Sequence, residues 1–235
     1  MDDKKRDWWV DEEELQKFIS ESIKKNEEEA NRQLAKERQE KLQKILTESG
    51  LGKRFFKRKF DNFLVNNNNK EAFEQAKRYV EEFDGSTGLM FVGGAGTGKT
   101  HLAAAIVNEL VERGYKVMFG NSTDIIARMR KSFKEGESDI DIISKITDVD
   151  LLVIDDLGKE KESEYTNMII YQIINRLYED EKALIITTNY TSFAVKERLG
   201  DYGDAILSRL LEMCKVVKLT GEDWRRKNAK YKFKD

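Results

Sequence analysis

The stretch Gly93-Gly94-Ala95-Gly96-Thr97-Gly98-Lys99-Thr100 has the form G-x-x-x-x-G-K-T, and it constrains the fold more than any other part of the chain. Residues 89–92 (Leu-Met-Phe-Val) form an apolar run of strand length just before it. Beyond it, Leu102, Ile106, Val107, Leu110 and Val111 recur at helical spacing, with Gly114 placed to end the helix. Strand, glycine loop and helix together aim backbone N–H groups and a helix N-terminus at a polyphosphate. Residues 93–100 therefore predict a nucleoside triphosphate site, with Lys99 on the β- and γ-phosphates and the Thr100 hydroxyl on Mg²⁺. His101, the one histidine, follows directly; near a helix N-terminus that disfavours imidazolium, it reads as structural.

Four more short apolar runs complete a sheet: residues 116–119, 151–154, 183–186 and a pair centred on Val216-Val217. Strands alternating with helical patterns predict an α/β fold with a doubly wound, parallel, five-stranded sheet. In such sheets ligands sit at the carboxyl ends of the strands, where Asp155-Asp156 and Thr187-Thr188-Asn189 fall. Asp155, after four apolar residues, is the acid expected to hold Mg²⁺, and Asp156 is placed to orient or deprotonate an attacking water. Asn189 is placed to position the same water or touch the γ-phosphate from the neighbouring strand end, or serves only its turn.

Two arginines belong to this reading. Ile206, Leu207, Leu210, Leu211 and Cys214 are expected to share one helical face, so Arg209 projects away from it, either solvated or offered to a neighbouring subunit's nucleotide. Arg225 follows a helix-start pattern at residues 220–223 and can reach its own subunit's phosphates, with Arg226 as the fallback. Asn121 is expected to cap a helix carrying Ile125, Ile126, Met129 and Phe133 on one face. Ser163 and Tyr165, at the start of the helix after the Asp155 strand, read as a cap and a packing residue.

Residues 1–50 differ from the remainder, 51–235. From 11 to 48 the chain is dense in Glu, Lys, Arg and Gln and free of glycine, which favours helix. Leu15, Phe18, Ile19 and Ile23 make one narrow apolar face, too small for a core of its own. The segment is either a solvated helix or an arm that packs on a partner, with Trp8 and Trp9 as anchors. Residues 49–52 (Ser-Gly-Leu-Gly) are expected to hinge it. Lys53-Arg54-Phe55-Phe56-Lys57-Arg58-Lys59-Phe60 interleaves cations with aromatics, which suits single-stranded nucleic acid; alternatively Phe60 and Phe63 dock the segment on the domain. A further amphipathic helix carries Phe73, Ala76, Val80 and Phe83.

Composition excludes several classes. With 37% charged residues but a net charge of −2, any DNA contact is local. A single cysteine excludes an internal disulfide and a cysteine-rich zinc site, and suits a reducing cytoplasm. No apolar run has membrane-spanning length, so no membrane contact is expected.

From about Ser49 to Arg225 the chain resembles the DnaC/DnaI-type replicative helicase loaders of the AAA+ superfamily. The resemblance rests on Ala76-Lys77-Arg78-Tyr79-Val80-Glu81-Glu82-Phe83, Gly96-Thr97-Gly98-Lys99-Thr100-His101-Leu102-Ala103, Leu152-Val153-Ile154-Asp155-Asp156-Leu157-Gly158 and Ile186-Thr187-Thr188-Asn189. It implies an ATP-dependent loader that places a hexameric, DnaB-like replicative DNA helicase on single-stranded DNA and self-associates on it. It further implies that Asn189 is sensor 1, Arg209 an arginine finger acting in trans and Arg225 the sensor 2 arginine, with single-stranded DNA contacts near Ser163 and Tyr165. His101 joins the nucleotide-binding loop. Three departures bear on this. One cysteine and one histidine cannot supply the zinc module of the DnaI type, so the chain is closer to DnaC. Asp156 stands where Glu is usual, one methylene shorter, which predicts slow turnover. Few residues follow Arg225, so no full helical lid is expected. An IstB-like transposition ATPase is the alternative; a small-molecule kinase and an adaptor with a vestigial site are disfavoured by Arg209, Asn189 and the intact loop.

Overall fold

The computed structural model describes residues 12–227; Trp8 and Trp9 lie outside the described residues. The chain divides into two compact units, residues 1–44 and 45–235. In the first, the described residues belong to α1 (Glu12–Glu48), whose Leu15, Phe18, Ile19 and Ile23 are all exposed, at 47%, 69%, 48% and 53%. That apolar stripe finds no cover within its own unit.

The second unit is built on β1 (Gly88–Gly93), β2 (Val117–Asn121), β3 (Leu151–Asp155), β4 (Ala183–Thr188) and β5 (Cys214–Leu219). Every pairing is parallel and the order is β2-β3-β4-β1-β5. The three inner strands β1, β3 and β4 are apolar on both faces because helices cover both, and their side chains are almost entirely buried. Edge strand β5 is only partly buried instead, with Lys215, Val216 and Lys218 exposed, and its two lysines are charges that discourage pairing with another edge.

The helices are α2 (Lys70–Glu81), α3 (Lys99–Glu112), α4 (Ser122–Lys134), α5 (Asp139–Thr147), α6 (Glu164–Glu179), α7 (Ser192–Arg198), α8 (Gly203–Met213) and the single turn α9 (Trp224–Lys227). Among the described residues, α9 is the only helix that follows β5. Side chains of Asn121, Ser138, Ser163 and Thr191 cap α4, α5, α6 and α7.

The structure corrects three local expectations and decides between two readings of the basic segment. Residues 49–52 do not hinge: the Ser49 carbonyl accepts from Phe119 N–H at 2.6 Å, and Leu51 is buried, so this stretch is fastened along the β2 edge. Phe60 and Phe63 are buried against Phe73 and His101, so they dock the basic segment rather than stack bases. The Asn108 amide reinforces that docking by donating to the Phe55 and Arg58 carbonyls. Phe133, one turn beyond buried Met129, is 59% exposed because α4 ends as it leaves the core. Of the apolar face expected on α8, only Ile206 and Leu210 are buried within the helix; Leu211 is 53% exposed, and Cys214 already belongs to β5.

Candidate nucleotide site

The loop 93–98 leaves the end of β1, the inner strand between β4 and β5. Gly93 lies so close to β5 that an added Cβ would meet the Leu219 carbonyl oxygen. Gly98 adopts φ +108°, a left-handed value that favours glycine, and an added Cβ would strike the Phe63 ring at 2.7 Å. Phe63 therefore walls the loop from outside. From the other side, Trp224 N–H of α9 donates to the Gly96 carbonyl.

Lys99, 4% exposed, opens α3 and turns its ammonium back toward the strand ends. It donates to the Gly93 and Gly94 carbonyls at 2.8 and 2.7 Å and to Asn189 Oδ1 at 2.6 Å. Burial lowers its pKa, while Asp156 and then Asp155 oppose that shift. The Thr100 hydroxyl donates to Asp155 Oδ1 at 2.9 Å, and Thr187 donates to the same oxygen at 2.6 Å. Burial raises the Asp155 pKa, and the two hydroxyls pull it back. One hydroxyl beside one carboxylate is a hard oxygen donor pair of the kind that holds Mg²⁺ together with phosphate oxygens and water. No group of three or more His, Cys, Asp or Glu placed to hold a metal occurs among the described residues.

Asp156 occupies the next position with φ 60°, an uncommon backbone for a non-glycine residue, held by its N–H on Thr187 Oγ1. Its carboxylate pairs with Lys159 at 2.7 Å. The lysine carried no signal in the sequence and becomes visible only when the turn is built. His101 donates from Nε2 to the Lys59 carbonyl and packs edge-on to Phe63, and burial lowers its pKa, so it supports the wall of the site as a neutral ring.

These groups line three clefts that meet at Arg225. One of about 150 Å³ holds Lys99, Thr100, Asp156, Lys159 and Asn189. One of about 370 Å³ lies between Phe63, Leu64, His101 and Trp224. The largest, about 820 Å³, runs along β2 and reaches Thr100, Asp155 and Asp156 at one end. Arg225, exposed on α9 and capped by Asp223, is thus placed over the loop of its own chain.

Arg209 lines none of these clefts. It is half-buried on α8 against α6: Nε donates to Asn175 at 2.9 Å, Nη1 to the Ala205 carbonyl, and its guanidinium lies 5.2 and 5.4 Å from the rings of Tyr171 and Tyr178. The expectation of a freely projecting side chain is corrected, since the tyrosines fix it. Ser163 caps α6, and its hydroxyl, Thr166 and the Tyr165 ring all meet Arg130 of α4. Arg130 is the cation of that surface which the sequence reading missed; its signal was the basic end of a capped helix.

The family model of IstB-like ATP binding proteins matches residues 27–232. The replicative helicase loader DnaC of Escherichia coli K12 is 37% identical over 164 residues, covering 68% of this chain and 67% of that protein. Among solved structures, the crystal structure of the DnaC helicase loader superposes with a TM-score of 0.65 at 30% identity, over 72% of this chain and 99% of that one. The replication initiator DnaA bound to AMPPCP and single-stranded DNA gives a TM-score of 0.61 at 29% identity, over 72% of this chain and 52% of that chain.

Proposed function

The chain belongs to the IstB-like ATP-binding proteins, among the DnaC-type replicative helicase loaders, and from that we propose that it loads a hexameric DnaB-like helicase onto single-stranded DNA under the control of ATP. The observation that carries the ATP-dependent part is the convergence of Lys99, Thr100, Asp155 and Asn189 within hydrogen-bond reach at the strand ends. No helix is long and apolar enough to cross a membrane among the described residues, and loading a replicative helicase is work for the cytoplasm.

In this reading the N–H groups of residues 93–100 cradle the phosphates and Lys99 exchanges its carbonyl partners for β- and γ-oxygens. Thr100 and Asp155 hold Mg²⁺, which when bound neutralises charge on the phosphates. Asp156 polarises the attacking water, Asn189 orients it, and Arg225 closes over the phosphates in cis. Arg209 serves a neighbouring copy's nucleotide, so turnover depends on self-association. Residues 1–50 form the helicase-binding arm and 51–235 the ATPase domain, supported by the uncovered stripe of α1. The surface of Ser163, Tyr165 and Arg130 offers a hydroxyl, a ring and a cation to single-stranded DNA.

The test is reconstitution: purified chain, its replicative helicase and closed circular single-stranded DNA, with unwinding of an annealed strand as readout. Loading should require ATP and fail with Lys99→Ala. A chain that ignores the helicase and prefers duplex DNA would instead support the IstB-like transposition role.

A further inference from the structure

We propose that Lys159 is a phosphate-responsive latch on Asp156, an ammonium that holds the carboxylate until a γ-phosphate competes it away. The inference rests on the nucleotide-site reading above. Five cations line the cleft of about 150 Å³, namely Arg54, Arg58, Lys99, Lys159 and Arg225, but Asp156 is its one lining carboxylate. Lys159 is the cation bonded to it, at 2.7 Å.

The turn carrying both residues is fixed from several directions. Asp156 N–H bonds Thr187, and the Leu157 N–H and carbonyl bond the Thr187 carbonyl and the Thr188 hydroxyl. Gly158 N–H bonds the buried Glu160 carboxylate, which also accepts from Ser122, and the Gly158 carbonyl accepts from Arg198. Backbone movement is therefore suppressed, and what can rearrange is the two side chains, 20% exposed for Asp156 and 41% for Lys159.

A partly exposed pair of this kind is weakly held. Lysine is a flexible point charge with three donors, so it can leave one acceptor for another without moving the chain. Its field already reaches Lys99 and Asp155, adding to the lowering of the Lys99 pKa by burial and opposing the rise that burial gives Asp155. A γ-phosphate placed by Lys99 carries more charge than one carboxylate and draws the ammonium off. Asp156 is then left to the water it must polarise, so the base is released by the substrate's own terminal phosphate. ADP, lacking that phosphate, leaves the pair closed.

The experiment measures Mg²⁺-dependent ATP and ADP affinities by competition with a fluorescent nucleotide. Lys159→Met should weaken ATP about tenfold and ADP less than about twofold, and Lys159→Arg should restore most of the ATP affinity. Asp156→Asn should tighten ATP in the wild-type background and by much less in the Lys159→Met background. Equal changes for ATP and ADP, or the same gain from Asp156→Asn in both backgrounds, would overturn the latch. Lys99→Ala, measured alongside, separates the two ideas: if it loses ATP while Lys159→Met keeps the wild-type ATP/ADP ratio, only the latch fails. If Lys99→Ala binds normally, the nucleotide site and the latch fall together.

Discussion

Replacing Arg209 with alanine separates packing from catalysis, because the structure assigns a modest cost to one and the proposed role a large cost to the other. The change removes hydrogen bonds to Asn175 and the Ala205 carbonyl and the stacking on Tyr171 and Tyr178. At about 1 kcal/mol per net hydrogen bond and about 0.5–1 kcal/mol per cation–π contact at a partly exposed site, non-additive losses come to about 2–3 kcal/mol. For a domain of this size that lowers Tm by roughly 5–10 °C, and most molecules remain folded at 25 °C. An arginine finger, by contrast, is worth about 10³–10⁵ in turnover. Scanning calorimetry should show the Tm shift, while ATP hydrolysis with single-stranded DNA and helicase should fall by at least about a thousandfold with monomer ATP affinity unchanged. Mixing in Lys99→Ala subunits, which keep Arg209, should restore part of the turnover. Turnover within about threefold of wild type, alongside the expected Tm shift, would show that Arg209 only packs α8 on α6.

Three other outcomes are expected. Phe18→Ser with Ile23→Ser, on the exposed stripe of α1, should leave Tm within about 1 °C yet weaken helicase binding tenfold or more, read by calorimetry; unchanged affinity would remove the stripe from the interface. Asp84 is held at a pKa of about 2, below its usual 3.8, by the backbone N–H groups of Thr87 and then Ser86. Its folded pKa is the lower one, so its contribution, discounted for exposure to about 1 kcal/mol, is present above pH ~4 and lost as pH falls through ~2. Asp84→Asn should flatten that part of the urea-midpoint profile, and parallel profiles would place the acid sensitivity elsewhere. Burial pushes the Cys214 thiol up to about 12, so thiol reagents should label it slowly in the folded protein and quickly in urea; rapid labelling of the folded chain would contradict the packing of β5 on β1.

The residues that were legible in sequence carry their signal locally. The apolar run before Gly93, the glycine spacing and Lys99 specify strand, loop and helix within a few turns of chain, and Asp155 is marked by the strand it ends. The same holds for the five strands and the Asn121 cap. What escaped depends on which surfaces meet. α5 went unread because its Ile142, Ile143 and Ile146 fill only two turns between polar loops. Arg209 was placed on the correct helix, but the tyrosines that hold it come from α6, over thirty positions away. Residues 49–52 look like a hinge by composition, and only the edge of β2 turns them into an anchor. Lys159 was invisible because its partner is set by a turn whose positive φ no local pattern announces.

The strand order has a consequence for how the molecule is made. β1, which delivers the phosphate loop, pairs with β4 and β5, so Leu89 meets Ile185 and Lys215, partners roughly a hundred residues or more along the chain. Contacts of such long sequence separation form slowly, because each closes a large loop before it is rewarded. Until then residues 89–92 remain an unpaired, strongly apolar segment, the kind that seeks strands on other chains. During refolding, capacity to bind nucleotide should therefore return with the slowest kinetic phase, after the helical signal has recovered. Variants that weaken β4 or β5 should appear first as aggregation during synthesis, before any defect is seen in the finished protein.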